Sequence, residues 1–203
     1  MPYSFEMTSD VLEVGTPHFE PEISGATYRK LYSAEPLTEA EVRDLPRRVE
    51  ISMHLDTSVT PDFINAAGPA VVSEQVHDKI NALEPGRHRF VAIEMVRRTG
   101  GRARPYWFML VTETVAHFDY DRTRWLTKLD AGFGPAAAED SAYQLALGYN
   151  EPCVLKSDLI KGRHVWRGAP EGARKIFFCS DAFRDFAHAN HLRGARFIPV
   201  GTA

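Results

Sequence analysis

Two segments of the chain share one pattern, in which a short apolar run meets a serine, an acidic residue and then an amphipathic stretch. The first covers residues 71–78 and the second covers residues 178–185. In each, the apolar run predicts a strand and the serine predicts a helix N-cap, because a serine hydroxyl accepts hydrogen bonds from first-turn N–H groups. The acidic residue places negative charge at the positive end of the helix dipole. The chain is therefore predicted to contain two strand–Ser cap–helix units, with helices starting at Ser73 and Ser180.

Each predicted helix has an apolar face and a glycine near its end. In the first helix, Val76, Ile80 and Leu83 recur at helical spacing before Gly86. The second helix is predicted to stop at Gly194, because glycine adopts the left-handed C-terminal conformation at little cost. Four aromatic residues of the closing unit are predicted to lie in the core: Phe178, Phe183, Phe186 and Phe197.

Between the two units, two apolar runs separated by a glycine pair predict an antiparallel hairpin. We expect its strands near residues 88–97 and 105–111, with the turn at Gly100 and Gly101. A third strand of the same sheet is predicted over residues 114–120. The middle of the chain is therefore predicted to form an antiparallel sheet.

The N-terminal part of the chain is acidic and is predicted to form an arm lying over the body. Weak alternation over residues 28–32 predicts a first strand, and the acidic stretch over residues 37–45 predicts a short helix. The fold class is α+β, a mainly antiparallel sheet with two or more short helices. Residues 1–203 are predicted as a single domain, with the arm and first strand over residues 1–45 and the core over residues 46–203.

Composition favours a protein of a reducing cytoplasm. The only cysteines are Cys153 and Cys179, too few for a disulfide framework or a four-cysteine metal site. We expect no signal peptide, because the first residues lack a basic segment followed by an apolar one. The apolar runs are far shorter than the ~20 residues that a membrane span needs, so no membrane insertion is expected.

Charge is distributed unevenly along the chain. The net charge is −6 over residues 1–44, −2 over residues 45–155 and +5 over residues 156–203. A basic end suits nucleic acid or an acidic partner. The bases are scattered, however, and no Lys/Arg cluster is interleaved with stacking aromatics, so we expect no nucleic-acid partner. The alternative is that the acidic front and basic back neutralise each other in the folded chain.

Residues capable of catalysis occur, but not in a convincing constellation. His117, Asp119 and Asp121 alternate, so on a strand they would share one face and could serve as general acids or bases. Cys179 lies between a predicted strand and a helix N-terminus, where a thiolate is stabilised. Polar strand ends and small buried cysteines are the commoner explanations. We therefore predict no catalytic residue.

Two histidines near the end of the second helix offer the best metal-binding hypothesis. His188 and His191 lie three residues apart, and Cys179 is the nearest cysteine. No third ligand has metal-site spacing, and imidazoles also suit the negative end of a helix. No phosphate-cradling or dinucleotide-binding loop occurs either. We predict no metal and no cofactor.

The turn of the predicted hairpin is the candidate contact element. Four arginines surround its glycine pair, and arginine is enriched in protein interfaces. A turn of this kind projects from the body of a protein. The alternative is a solvated turn with no partner. The candidate partner-binding residues are Arg97, Arg98, Arg102, Arg104 and Tyr106.

Several of these segments together resemble a family of bacterial immunity proteins. The resemblance is carried by residues 165–167, 176–186 and 192–200, and it extends back through residues 106–108 and 71–73. The family is the eleventh in the numbered series of immunity families from polymorphic toxin systems, formerly a domain of unknown function. Its typical ending is a strand, Ser-Asp/Glu, an amphipathic helix, and a glycine followed closely by phenylalanine.

The resemblance implies a mixed α+β protein that binds and neutralises a cognate protein toxin encoded nearby. The toxin would be delivered by contact or by secretion. The residues themselves leave two alternatives open. One is an enzyme of unrecognised type, and the other is an accessory or scaffold protein of a toxin-secretion or phage-like system. A large modular toxin encoded by the neighbouring gene would favour the first hypothesis.

Overall fold

The fold is an α+β arrangement of short strands and helices, given by a computed structural model. None of the helices in the described part of the chain is long and apolar enough to cross a membrane. The structure describes residues 1–7, 18–33, 35–51, 60–65, 70–97, 104–111, 113–119, 121–123, 125–126, 144–145, 153–169 and 176–203.

Strands and helices alternate irregularly along the described residues. The helices are α1 (Gly25–Ser33), α2 (Glu39–Arg43), α3 (Glu74–Leu83), α4 (Ser157–Ile160) and α5 (Asp181–Ala189). The strands are β1 (Tyr3–Glu6), β2 (His18–Glu20), β3 (Arg48–Ile51), β4 (Phe63–Asn65), β5 (Ala70–Ser73), β6 (Arg89–Arg97), β7 (Arg104–Leu110), β8 (Thr114–Val115), β9 (Trp125–Leu126), β10 (Gln144–Leu145), β11 (Val154–Leu155), β12 (Val165–Gly168), β13 (Phe177–Cys179), β14 (Arg196–Pro199) and β15 (Gly201–Thr202).

The chain divides into two compact units, each built from segments distant in sequence. The larger unit comprises Glu6–Thr112 and Asp185–Arg196. The smaller unit comprises Met1–Phe5, Glu113–Arg184 and Phe197–Ala203. The α+β class and the mainly antiparallel sheet pairing are confirmed. The predicted boundaries of an arm over residues 1–45 and a core beyond it stay predictions.

The larger unit is organised around a six-stranded sheet in the order β2-β3-β6-β7-β5-β4. Its centre is the antiparallel pair β6 and β7, in register from Arg89 opposite Leu110 to Met95 opposite Arg104. The predicted hairpin over residues 88–97 and 105–111 is therefore confirmed. The core on one face of this sheet is made of buried aliphatic and aromatic side chains, including Val49, Ile51, Val71, Ile93 and Phe108.

The third strand predicted for that sheet is wrong in both length and partner. Only Thr114–Val115 forms a strand, and it pairs in parallel with β12 of the smaller unit. Phe118 makes an isolated bridge to Leu155. The smaller unit has a five-stranded sheet in the order β14-β1-β13-β12-β8. Its core combines aromatic and aliphatic side chains, with Trp166 and Phe178 stacked at 6.0 Å between ring centroids.

The first strand predicted over residues 28–32 is also wrong, because this segment is the helix α1. The amide of Tyr28 donates to the Ser24 carbonyl at 2.8 Å, and the amide of Thr27 donates to the Ser24 hydroxyl at 3.2 Å. Thr27 and Leu31 are both buried, so the inward positions are four residues apart and not two. The short helix predicted within residues 37–45 is confirmed as α2, which Thr38 caps.

Helix α3 begins where the sequence predicts it, but its cap differs. Ser73 occupies the N-cap position without a side-chain hydrogen bond to the helix. Its hydroxyl donates to Oδ1 of Asp62 at 2.8 Å. A distant carboxylate therefore outcompetes the local amide groups that the sequence pattern favours.

Helix α5 confirms its predicted start and corrects its predicted end. The amide of Phe183 donates to the Ser180 hydroxyl at 3.3 Å, as an N-cap requires. The helix stops three residues after Phe186, and His191 adopts the left-handed conformation at φ 52°. The amide of Leu192 donates to the Ala187 carbonyl at 2.9 Å, which completes a Schellman motif. Gly194 therefore does not stop the helix.

The four predicted core phenylalanines divide into two pairs. Phe178 and Phe183 are fully buried. Phe186 and Phe197 are only half-buried, and the ammonium group of Lys79 lies 5.0 Å from the Phe186 ring centroid. The helical spacing identified the inward face of α5 correctly, but it did not show that Phe186 lies at the partly exposed edge of that face.

Candidate partner-binding surface

The arginine-rich hairpin is described up to the two residues at its base. Arg97 ends β6 and Arg104 begins β7. Arg98 and Arg102, like the glycine pair of the turn, lie outside the described residues. The structure thus places two of the four predicted arginines at the end of one antiparallel pair.

Short contacts tie the base of the hairpin to the segment Thr60–Phe63. Nη2 of Arg97 donates to the Thr60 hydroxyl at 3.2 Å. The hydroxyl of Tyr106 donates to the Pro61 carbonyl at 2.8 Å, and burial raises the pKa of Tyr106. Tyr106 is only 4% exposed, so its side chain offers little surface to a partner.

A small concavity of about 20 Å³ lies at this end of the sheet. Two arginines contribute to its wall. Of these, Arg104 is exposed and Arg97 is half-buried. Apolar and hydroxyl groups supply the rest, so a carboxylate could meet positive charge there beside an apolar surface. Its lining residues are Ile51, Thr60, Met95, Arg97, Arg104 and Tyr106.

The acid–base hypothesis loses its geometric basis in the smaller unit. His117 is completely buried against the rings of Phe118 and Phe178, at centroid distances of 4.4 and 4.7 Å. Burial lowers the pKa of His117 to about 4. Asp119 instead closes a turn, its carbonyl accepting the Thr123 amide at 2.9 Å, and Asp121 is exposed in that turn. The predicted shared strand face is therefore wrong.

The two cysteines are free and buried. Cys179 is 0% exposed within β13, and burial raises the pKa of its thiol. Burial also raises the pKa of Cys153 to about 12. A nucleophilic cysteine needs an accessible thiolate, and neither residue provides one.

The two histidines near the end of α5 lie on the surface. His188 belongs to the last turn of the helix, and His191 is the exposed left-handed residue that follows it. Within the described ranges, no group of three histidine, cysteine or acidic residues is placed to hold a metal ion.

Sequence reasoning missed one organising residue of the larger unit, Asp62. Its carboxylate accepts the Ser73 hydroxyl through Oδ1 at 2.8 Å and the Arg193 amide through Oδ2 at 3.0 Å. No local pattern marks an aspartate whose partner lies 131 residues away.

Comparison with known proteins gives one match that covers nearly the whole chain. A family model described as "Immunity protein family (Imm11)" matches residues 3–202. No curated protein matches the chain.

Proposed function

Since the chain belongs to the immunity protein family Imm11, we propose that it binds and neutralises a cognate toxin encoded by a neighbouring gene. The observation that carries this proposal is the extent of the family match, which includes residues of both compact units. The toxin is a polymorphic one, delivered by contact or by secretion, and the protein acts on it in the cytoplasm.

The proposed mechanism is stoichiometric binding and not turnover. The side chains that could act in catalysis are inaccessible in the folded protein. His117 is buried among aromatic rings, and Cys179 is buried with a raised thiol pKa. A binder instead needs ~800 Å² of surface per partner and a few well-placed anchors. Covering or distorting the active site of the toxin then suffices to inhibit it.

The base of the arginine hairpin is the proposed contact element. Arg97 and Arg104 line the concavity of the larger unit, and Arg98 and Arg102 belong to the same turn in sequence. Guanidinium groups bind carboxylates through paired hydrogen bonds, which suits capture of an acidic side chain. Tyr106 takes part by holding this end of the sheet against Pro61.

Co-expression with the adjacent open reading frame tests the function. The proposal predicts that the toxic domain arrests growth alone, that this chain restores growth, and that the two co-purify as a complex. Rescue without a complex would favour an enzyme that modifies the toxin or its target. Absence of both rescue and complex would contradict the proposal.

A further inference from the structure

The loop that follows α5 presents unpaired positive charge. Arg193 and Arg196 are both exposed, and the exposed His191 precedes them. Neither arginine side chain has an ion-pair or hydrogen-bond partner among the described residues. These charges are therefore available to a partner.

Some exposed arginines of the same unit form ion pairs. Two oxygens of Glu39 accept Nη1 and Nη2 of Arg89 at 2.6 and 2.8 Å. Arg87 pairs with Glu84 at 3.0 Å. Arg193 and Arg196 differ from Arg87 and Arg89 in having no such partner among the described residues.

The backbone of this loop is held firmly in place. The Arg193 carbonyl accepts the amides of Asp62 and Phe63 at 2.9 and 3.1 Å, while its own amide donates to the Asp62 carboxylate. Gly194 packs so closely that an added Cβ would lie 2.1 Å from the Phe63 carbonyl oxygen. A rigid backbone presents its charged side chains with little loss of backbone entropy on binding.

His191 is an unusual choice for its position. Glycine fills the left-handed residue of a Schellman motif at least cost, yet here a histidine adopts φ 52° with its side chain exposed. The His191 ring makes no hydrogen bond to a described residue that would offset this strain. Strained residues of this kind cluster at binding sites and switches. This points to a role for the imidazole in binding a partner and not in stabilising the fold.

One short segment joins this loop to the arginine hairpin. Thr60 and Pro61 accept hydrogen bonds from Arg97 and Tyr106 at the base of the hairpin. The next two residues of the segment, 62 and 63, hold the backbone of Arg193. Four residues span at most about 14 Å, so the two arginine-bearing elements adjoin each other.

We propose that these elements form one continuous basic surface that docks on an acidic face of the toxin. The inference rests on the proposed function and deepens it by extending the contact beyond the hairpin. The bridged basic surface consists of Arg97, Arg104, His191, Arg193 and Arg196.

An acidic protein suits this surface better than nucleic acid does. Binding of single strands uses exposed aromatic rings on which bases stack, and sequence-specific binding of a duplex uses an element that enters a groove. Here Tyr106 is buried, and the loop after α5 is short and pinned. Scattered guanidinium groups on a rigid loop instead match dispersed carboxylates on a folded partner.

The test compares two double variants that remove the same charge from the same unit. Arg193→Ser/Arg196→Ser removes the loop charges, and Arg43→Ser/Arg47→Ser removes two exposed arginines elsewhere. Association with the purified toxic domain of the adjacent open reading frame is measured by stopped flow at low and high salt. We expect the loop variant to associate roughly tenfold more slowly at low salt with a shallower salt dependence, and the control to lose far less.

A single substitution separates binding from folding. His191→Gly relieves the left-handed strain, so its melting temperature should rise while the lifetime of the complex with the toxic domain falls. A histidine with only a structural role would leave the lifetime unchanged.

Each further outcome has a defined meaning. Equal association rates for the two double variants would overturn the bridged basic surface while leaving the proposed function intact. Failure of the unmodified protein to bind the toxic domain would overturn the proposed function and this surface with it. Binding to duplex DNA that only the loop variant loses, with toxin binding intact, would assign the surface to nucleic acid and overturn the proposal.

Discussion

Asp62 and Arg193 lie 131 residues apart and bind each other through their backbones and one carboxylate. The amide of Asp62 donates to the Arg193 carbonyl at 2.9 Å, and the amide of Arg193 donates to Oδ2 of Asp62 at 3.0 Å. This reciprocal pair fixes the loop after α5 to the strand region that begins at Phe63. The larger unit therefore depends on residues near the end of the chain.

Gly194 should tolerate no side chain. It has φ 92°, and a Cβ would lie 2.1 Å from the backbone oxygen of Phe63. Gly194→Ala should lower the free energy of unfolding by about 1–3 kcal/mol from its backbone conformation alone, and further from the clash. Gly86→Ala is the matched control, because Gly86 has φ 70° with nothing within 4 Å. Equal losses in urea unfolding would show that the close approach to Phe63 is absent.

The two phenylalanines on the inward face of α5 should differ in their contribution to stability. Phe183 is fully buried, and Phe183→Ala should cost about 3–5 kcal/mol of unfolding free energy. Phe186 is half-buried beside Lys79, so Phe186→Ala removes less contact and should cost clearly less. Urea unfolding of both variants checks the order. A larger loss for Phe186→Ala would mean that the orientation of α5 is wrong.

Stability should fall in acid because of His117. Burial lowers its pKa from 6.5 to about 4, so between these values the unfolded chain binds a proton that the folded chain does not. The free energy of unfolding is then highest above pH 6.5 and decreases as the pH falls toward 4, by roughly 3 kcal/mol.

A variant without the imidazole isolates this effect. His117→Phe keeps an aromatic ring beside Phe118, Trp166 and Phe178, and it removes the titrating group. Urea unfolding of both proteins from pH 7.5 to pH 4 should give a shallower pH dependence for the variant. Identical pH dependences would contradict a neutral, buried His117.

The sequence predicted those elements whose signals are local. The hairpin of β6 and β7 follows from two apolar runs around a glycine pair, and α3 and α5 follow from helical spacing after a serine. At residues 28–32, the alternation was too weak to distinguish a strand from α1. The Ser24 hydroxyl, which accepts the Thr27 amide at the start of α1, was not recognised as a helix cap from the sequence.

The features that failed to emerge from the sequence depend on distant partners. Ser73 caps no amide because Asp62 accepts its hydroxyl. The strand β8 does not belong to the predicted sheet, because it pairs in parallel with β12. His191 and not Gly194 is the left-handed residue that ends α5, although glycine is the residue that the local rule favours. The same holds for the candidate surface. Its hairpin could be predicted from neighbouring residues, but the position of Arg193 beside it depends on contacts between residues distant in sequence.

Titration of the purified toxic domain with this protein tests the central claim most directly. Toxin activity is measured in vitro while the protein is added in increasing amounts to a fixed concentration of the domain. A tight stoichiometric binder should abolish activity along a straight line that ends at equimolar protein, and the inhibited mixture should elute as one complex. Full inhibition by far less than equimolar protein, increasing with incubation time, would reveal an enzyme. Undiminished activity at a large excess of protein would contradict neutralisation by binding.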